Sequence, residues 1–260
     1  MRVTRAQPGG FGVDDAALLR HSAHIFLPEM GVEGVLRLTR ARVLIVGLGG
    51  LGSVVALYLA RAGVGELVLA DPDTVALSNL PRQILYADRH VGQLKTDAAR
   101  EALAALGANG LRLVPERLLG ARLTEEVARV DLVCDASDNF TTRFAINEAC
   151  AQAAIPLVSA AVIRMTGQLL VVHPGDTAAG CYRCLYPEGG EDTESCSERG
   201  VLGPVAGALA TLQAAEAMKI LAGIPTPLSH DLWVFDGATL ESRRVRRHRD
   251  PDCPVCKTRS

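Results

Sequence analysis

The stretch that most constrains this chain is RVLIVGLGGLGSVVALYLARAG, residues 42–63. RVLIVG is a continuous apolar run of β-branched character, and such a run reads as a parallel strand buried on both faces. It leads without a spacer into Gly47, Gly49 and Gly52 in G-x-G-x-x-G spacing, then into a helical segment that stops at Gly63. The first glycine allows the tight turn and the second lets backbone approach a phosphate. The third lets the helix pack closely on the strand. A strand covered on both sides needs helices on both sides, so this stretch already points to a doubly wound α/β sheet.

The rest of the chain agrees. Residues 1–19, which contain QPGGFG, read as a flexible lead-in, and residues 20–260 as a single domain. ELVLAD, GLRLVPE, DLVCDAS and IPLVSA read as further strands. KTDAAREALAALG, TEEVARV and NFTTRFAINEACAQAA read as the helices between them. After Ala161 the texture changes: GQLLVVHP reads as a strand and DLWVFDGATLESRRVRR as a hairpin turning near DGAT. The expected fold is therefore a Rossmann-like, mainly parallel sheet with antiparallel C-terminal strands. LGPVAGALATLQAAEAMKILAG reads as a long helix, apolar on a wide face and ended by Gly223. YPEGGEDTESCSERG has almost no apolar content and reads as a mobile loop placed to act as a lid.

Composition excludes some classes of function. With 29 acidic and 27 basic residues, the chain lacks the basic surface on which nucleic-acid affinity rests. The stretch SVVALYLARAGVGELVLA, read as the most apolar, is broken by Arg61 and Glu66 and is too short to span a bilayer. The N-terminus lacks the apolar core of a secretory signal, so a cytoplasmic location is expected. Seven cysteines is an odd count for a secreted disulfide scaffold. Four of them form two Cys-x-x-Cys pairs, Cys181/Cys184 and Cys253/Cys256, suited to a closed tetrahedral Zn²⁺ site. Such a metal would clip the C-terminal tail to the middle of the chain. Cys134 and Cys150 read as core thiols.

Asp71 ends the second strand, 19 residues past Gly52, where a carboxylate can accept bonds from ribose hydroxyls. Up to this point NAD and ATP are equally served. The next segment, LSNLPRQILYADRHVGQLK (residues 77–95), then presents Asn79, Arg82, Gln83 and Lys95. An NAD enzyme has no need of such groups after its ribose ligand. Arg suits bidentate contact with phosphate, and Lys serves as a point charge on a leaving pyrophosphate. Asp138, in CDASDN, either caps the following helix or holds Mg²⁺ on the phosphates, with Asn139 beside it.

Together RVLIVGLGGLG, LADPDTVALSNLPRQ, VGQLKTDAA, DASDNFTTRFAIN, CYRCLYP and CPVCK resemble the ThiF/MoeB/HesA family, bacterial relatives of ubiquitin-activating enzymes, from about Arg20 to Cys256. The resemblance implies ATP-dependent adenylylation of the C-terminal Gly-Gly carboxylate of a small ubiquitin-like sulfur carrier, in thiamin or molybdopterin biosynthesis, by a homodimer. By position, Gly50 and Asp71 would meet the nucleoside. Asn79, Arg82 and Lys95 would meet the phosphates, and Asp138 would hold Mg²⁺. The chain shows no rhodanese-like segment, so sulfur would come from a separate protein. A family offshoot that adenylylates a peptide or a modified tRNA base is a neighbouring reading.

The family's N-terminal pattern carries a second arginine thought to reach the partner subunit's ATP. Here the run is RHSAH, with Arg20 kept and Ala23 in the second position, so Arg20 or Arg5 would have to substitute. Otherwise the chain is an ATP-binding zinc scaffold with weak or lost catalysis. An NAD-dependent oxidoreductase is the rival enzyme class. Cys196 stands where some family members carry a cysteine that links covalently to the carrier. Arg143 and Asn147 either brace the ATP site or form a helix-surface pair. His21, His24 and Trp233 read as structural, and the basic run at residues 241–249 as a solvated strand face.

Overall fold

The computed structural model describes residues 15–176, 178–187 and 200–257. Arg5 and Cys196, and most of the expected lid, lie outside the described residues. Short helices α1 (Asp15–Arg20) and α2 (Ser22–Ile25) precede α3 (Gly31–Arg40), so helical structure begins ahead of the boundary expected at residue 20. The βαβ core follows: β1 (Arg42–Val46), α4 (Gly52–Arg61), β2 (Glu66–Ala70), α5 (Lys95–Ala104) and β3 (Leu111–Val114). Then come α6 (Gly120–Val127), β4 (Leu132–Asp135), α7 (Phe140–Ala153), β5 (Leu157–Ile163) and β6 (Thr166–Val172). The chain continues through α8 (Tyr182–Leu185), the long α9 (Gly203–Ala222), β7 (Asp231–Asp236) and β8 (Glu241–Arg246).

One eight-stranded sheet has the order β3-β2-β1-β4-β5-β6-β7-β8. The first five strands in that order pair in parallel, and β6, β7 and β8 add on antiparallel. Side chains alternate across the pleat, and both faces are buried. Val43 and Ile45 point into one apolar layer with α4 and α9, while Leu44 and Val46 point into the other with α6 and α7. The strand order reverses at β1 and β4, which opens a crevice at their carboxyl ends, where ligands bind in such sheets.

Each glycine of the turn has its own steric reason. Gly47 has φ +89°, and a Cβ there would meet the Ala136 carbonyl oxygen at 2.7 Å. A Cβ on Gly52 would lie 1.8 Å from the Gly47 carbonyl oxygen. Gly52→Ala is therefore expected to force the turn apart and cost at least about 2 kcal/mol, measured by urea unfolding. A Cβ on Gly49, by contrast, meets only the Gln83 side-chain nitrogen at 3.7 Å, so packing does not require that glycine.

α9 is long and apolar enough to cross a membrane by length and composition, so it, rather than residues 53–70, is the most membrane-like stretch. It packs on α4, β5 and β6 as a core helix. Its buried Gln213 donates to the carbonyls of Asp135 (2.8 Å) and Val158 (3.0 Å), which ties the helix to the sheet. Gly223 closes it in the left-handed conformation at φ +79°. Trp233 stacks on Phe235 with ring centroids 5.5 Å apart, a packing role as expected.

The basic run divides. Residues of β8 are all exposed, and Arg244 and Arg246 face Asp231. Arg247, however, is buried and donates to the carbonyls of Gly180, Val171, Leu228 and Ser229, so it is an internal clasp rather than part of a solvated face.

His21 is buried against Gly63, and burial, then the charges of His24 and Arg20, hold its pKa below 6.5. A folded-state pKa below the unfolded one means that the unfolded chain binds the proton first. Stability from this site is therefore present above about pH 6.5 and lost as pH falls through the folded pKa. Urea titrations below pH 6.5 are expected to show a shallower acid loss in His21→Gln than in the parent.

Candidate functional site

The crevice holds a cavity of about 260 Å³, lined by the glycine turn, the ends of β2 and β4, and residues from the 77–95 segment. Gly47, Gly49, Gly50, Asp71, Asn79, Arg82, Gln83, Lys95, Asp138 and Asn139 all border it. Gly52 does not; it serves the turn from beneath. Among the described residues no side chain caps α4; the N–H groups of Ser53 and Val54 go to the carbonyls of Gly49 and Leu51, which leaves those of Gly50 and Leu51, at the cavity wall, for a ligand. Gly49, which packing does not require, presents bare backbone to the cavity, as close approach of a phosphate needs.

Asp71 is buried, and its carboxylate accepts N–H bonds from Leu48 (2.7 Å) and Asp73 (2.8 Å). Burial raises its pKa, and Lys95 and the two N–H donors oppose that rise. Lys95 is not the solvated charge that its residue type suggests. It opens α5 at 6% exposure, with Nζ 2.8 Å from Asp73 Oδ2 and 3.7 Å from Asp71 Oδ1. Asp73 went unnoticed in the sequence, although DPD places it two residues past Asp71.

The loop between β2 and α5 carries Asn79, Arg82 and Gln83. Asn79 Oδ1 accepts from Ala76 N–H (3.2 Å), which leaves its amide donors at the cavity wall. Arg82 Nη1 donates to the Ser78 carbonyl at 3.1 Å, so among the described residues four of the five guanidinium N–H donors are still on offer. Gln83 is buried at 3% exposure, and its Oε1 has no hydrogen-bond partner among the described residues.

Across the crevice, β4 ends at Asp135 and the loop after it carries Ala136, Ser137 and Asp138. Asp135 is buried and accepts from Ser137 N–H (3.0 Å), Ser137 O–H (2.6 Å) and Ser159 O–H (2.7 Å). Arg143 donates through Nε and Nη2 to the Ser137 carbonyl, at 3.3 and 2.7 Å. These bonds hold the loop so that Asp138 stands exposed at the cavity mouth. The helix cap falls to Asn139, whose side chain accepts from Thr142 N–H at 2.8 Å, so the capping alternative for Asp138 is excluded. An exposed carboxylate with open lone pairs fits a hard cation shared with phosphate oxygens. Asp135, Ser159 and Gln213 gave little sign in the sequence beyond being polar residues in apolar elements.

Arg20 ends α1 near Gly107, at the turn before β3, and does not border this cavity. Arg143 and Asn147, one helical turn apart, part company. Arg143 lines the cavity, whereas Asn147 faces the cysteines: its Nδ2 lies 3.5 Å from Cys181 Sγ, and its Oδ1 accepts from Tyr182 N–H.

The second site is the cysteine cluster. Sγ atoms of Cys181, Cys184, Cys253 and Cys256 lie within 4.8 Å of one another, with separations of 4.0, 3.8 and 3.4 Å for three of the pairs. Tetrahedral zinc at about 2.3 Å from each sulfur sets them about 3.8 Å apart, so the donor set fits. N–H groups of Asn147 and Asp250 point at Cys181 and Cys184, as thiolates need. Burial pushes the Cys184 thiol up, a cost that a bound cation relieves. Cys134 and Cys150 are buried in the two apolar layers, as expected of core thiols.

Comparison with known proteins supplies the frame. The model of the ThiF family matches residues 21–255. Over 245 residues the chain is 44% identical to the sulfur carrier protein ThiS adenylyltransferase of Escherichia coli, covering 94% of this chain and 97% of that one. It is 43% identical to the molybdopterin-synthase adenylyltransferase of the same organism over 94% and 98% of the two chains. The adenylyltransferase and sulfurtransferase MOCS3 of Sus scrofa is 45% identical, with 93% of this chain matching 54% of that protein. Among solved structures, E. coli MccB with ATP superposes with a TM-score of 0.76 at 25% identity, over 87% of this chain and 70% of that one. A glycine turn, Asp71, Arg82, Lys95 and Asp138 gathered round one cavity, a four-cysteine clip and this run of relatives lead to one assignment: the chain belongs to the ThiF family.

Proposed function

We propose that the protein is an adenylyltransferase that activates the C-terminal Gly-Gly carboxylate of a ubiquitin-like sulfur carrier, with ATP and Mg²⁺ as co-reactants. The observation that carries the reading is full-length similarity above 40% to two enzymes named for this kind of reaction, together with the phosphate-seeking residues lining one crevice. The NAD-dependent alternative has no such support.

The carboxylate oxygen attacks the α-phosphorus, a P–O bond forms to give the acyl-adenylate, and the α–β bridging P–O bond breaks to release pyrophosphate. The nucleophile is already ionised, so no general base is needed. The difficulty is repulsion between anions, and positive charge placed where pyrophosphate departs answers it. Arg82 and the amide of Asn79 supply donors there. Lys95 exchanges the exposed Asp73 carboxylate for a phosphate oxygen while keeping Asp71 in place for the ribose. Asp138 would hold Mg²⁺, which would supply neutralisation of phosphate charge. Cys181, Cys184, Cys253 and Cys256 would hold zinc in a closed four-ligand site, which would give the metal a structural role.

The setting proposed is a homodimer in the cytoplasm. Free thiols at all six described cysteines suit a reducing compartment. A separate protein as sulfur donor is also proposed, because the two E. coli relatives matched over nearly their whole length are named for adenylylation alone. A covalent role for Cys196 is proposed on the resemblance only.

ATP–pyrophosphate exchange tests the reading. Purified protein with Mg²⁺ and radiolabelled pyrophosphate is expected to form labelled ATP only when one Gly-Gly-tailed carrier is added, and not with a carrier lacking its last glycine. ATP binding without exchange for any carrier would instead favour the scaffold reading that Ala23 raises.

A further inference from the structure

Tyr86 is buried at 6% exposure beneath the nucleotide crevice, outside the cavity lining itself. Its hydroxyl donates to the Leu48 carbonyl at 2.9 Å and lies 3.5 Å from the Lys95 carbonyl. Leu48 is the residue between the first two glycines of the turn, and its N–H is the one bound by Asp71 at 2.7 Å. One peptide unit on either side of Leu48 is therefore held, at the N–H by Asp71 and at the carbonyl by Tyr86. The backbone of the same residue closes the loop that carries Arg82 and Gln83, since Tyr86 N–H donates to the Gln83 carbonyl at 3.1 Å. The edge of its ring packs against buried His90, with centroids 6.4 Å apart.

The geometry points to Tyr86 as a positioning residue for ATP, its phenol locking the glycine turn, the Arg82 loop and the start of the Lys95 helix in one register. Glycines at 47, 49 and 50 leave the buried Leu48 side chain as the anchor between them, and glycine backbone loses more freedom on ordering than any other. A donor fixed from below removes that cost in advance of nucleotide binding. Burial and the nearby Asp71 carboxylate push the Tyr86 phenol well up, so it remains a hydrogen-bond donor across the working pH range. A phenylalanine would fill the same space but leave the Leu48 carbonyl buried without its donor. This role rests on the nucleotide reading of the crevice, and it is independent of which carrier is activated.

The test is Mg²⁺-ATP binding by calorimetry to the parent, Tyr86→Phe and Tyr186→Phe. The last removes a hydroxyl that donates to Gln168 Oε1 at 2.6 Å, away from the crevice. Tyr86→Phe is expected to raise the Kd for ATP about tenfold, the equivalent of one buried hydrogen bond. Tyr186→Phe should bind within twofold of the parent. In exchange assays with the cognate carrier, the same change should appear in KM for ATP, with kcat at saturating ATP within threefold. Unchanged ATP binding in Tyr86→Phe, or an equal loss in both variants, would overturn the assignment. Failure of the parent to exchange with any carrier would count against the adenylylation reading alone, because the ATP Kd still decides the role of Tyr86.

Discussion

Replacing Asp138 by alanine is expected to lower carrier-dependent ATP–pyrophosphate exchange by about a hundredfold or more while leaving the fold intact. Two features of the structure make both halves of that expectation specific. The carboxylate is exposed at the cavity mouth, and its one hydrogen bond among the described residues is accepted from the side chain of the adjacent Asn139 at 3.3 Å. Its loop is held by other groups: Asp135 on the Ser137 N–H and O–H, and Arg143 on the Ser137 carbonyl. Unfolding free energy should therefore stay within about 0.5 kcal/mol of the parent, as for other surface changes. Asn139→Ala is the useful contrast. It removes the α7 cap and should cost about 1 kcal/mol of stability with a smaller loss of exchange. Exchange within threefold of the parent for Asp138→Ala would show that cation and phosphate are held elsewhere, and the mechanism proposed above would fall.

Cys253→Ser is expected to give the largest loss of stability among single changes, on the order of 4 kcal/mol or more. Loss of a structural metal belongs to the small set of changes that reach this size. For a domain of this length each kcal/mol shifts Tm by about 2–4 °C, so the expected fall is about 8–16 °C by calorimetry. Sequence separation explains why the effect is large. Cys184 and Cys253 are far apart along the chain, and the described residues 247–257 form no helix or strand that could dock the tail on its own. Apart from the cysteines, Arg247 ties the start of the tail to the body through its N–H to the His230 carbonyl and its side chain to four further carbonyls, whereas the Arg249 bonds to the carbonyls of Cys256 and Lys257 lie within the tail. Chelator treatment of the parent should reproduce the fall, and metal analysis should return one zinc per chain. A chelated protein that melts at the same temperature as the untreated one would show that packing, not metal, holds the tail. ATP affinity offers a second readout, since α7 carries Arg143 toward the crevice and Asn147 toward Cys181.

Local pattern made most of the architecture legible. Runs such as VLIV in β1 and LVLA in β2 are apolar at every position because both faces of their strands are covered, and no other element has that requirement at that length. The three glycines, the acid at the end of β2, and the arginine and lysine beyond it are bound to the chain by short-range geometry, so their spacing exposes them. The two Cys-x-x-Cys pairs are legible for a different reason: thiols in such pairs have few uses other than a metal. What the chain alone determined, then, is a doubly wound sheet, a glycine turn between strand and helix, a four-cysteine cluster, and the residue types available at the crevice.

The tertiary structure decided which of those residues are free to act. Lys95 reads as a free cation in the sequence, yet folding places it against Asp71 and Asp73. Asn139, not Asp138, became the helix cap, and that choice leaves Asp138 available to a cation. Asn147 and Arg143 share a helix but serve different sites, because one turn of α7 separates the crevice side from the cysteine side. Arg247 left the solvent for four backbone carbonyls contributed by distant segments. In each case the deciding partner is contributed by tertiary packing or by backbone geometry. Pairing of charges and hydrogen bonds depends on distance in space, whereas a sequence records only distance along the chain.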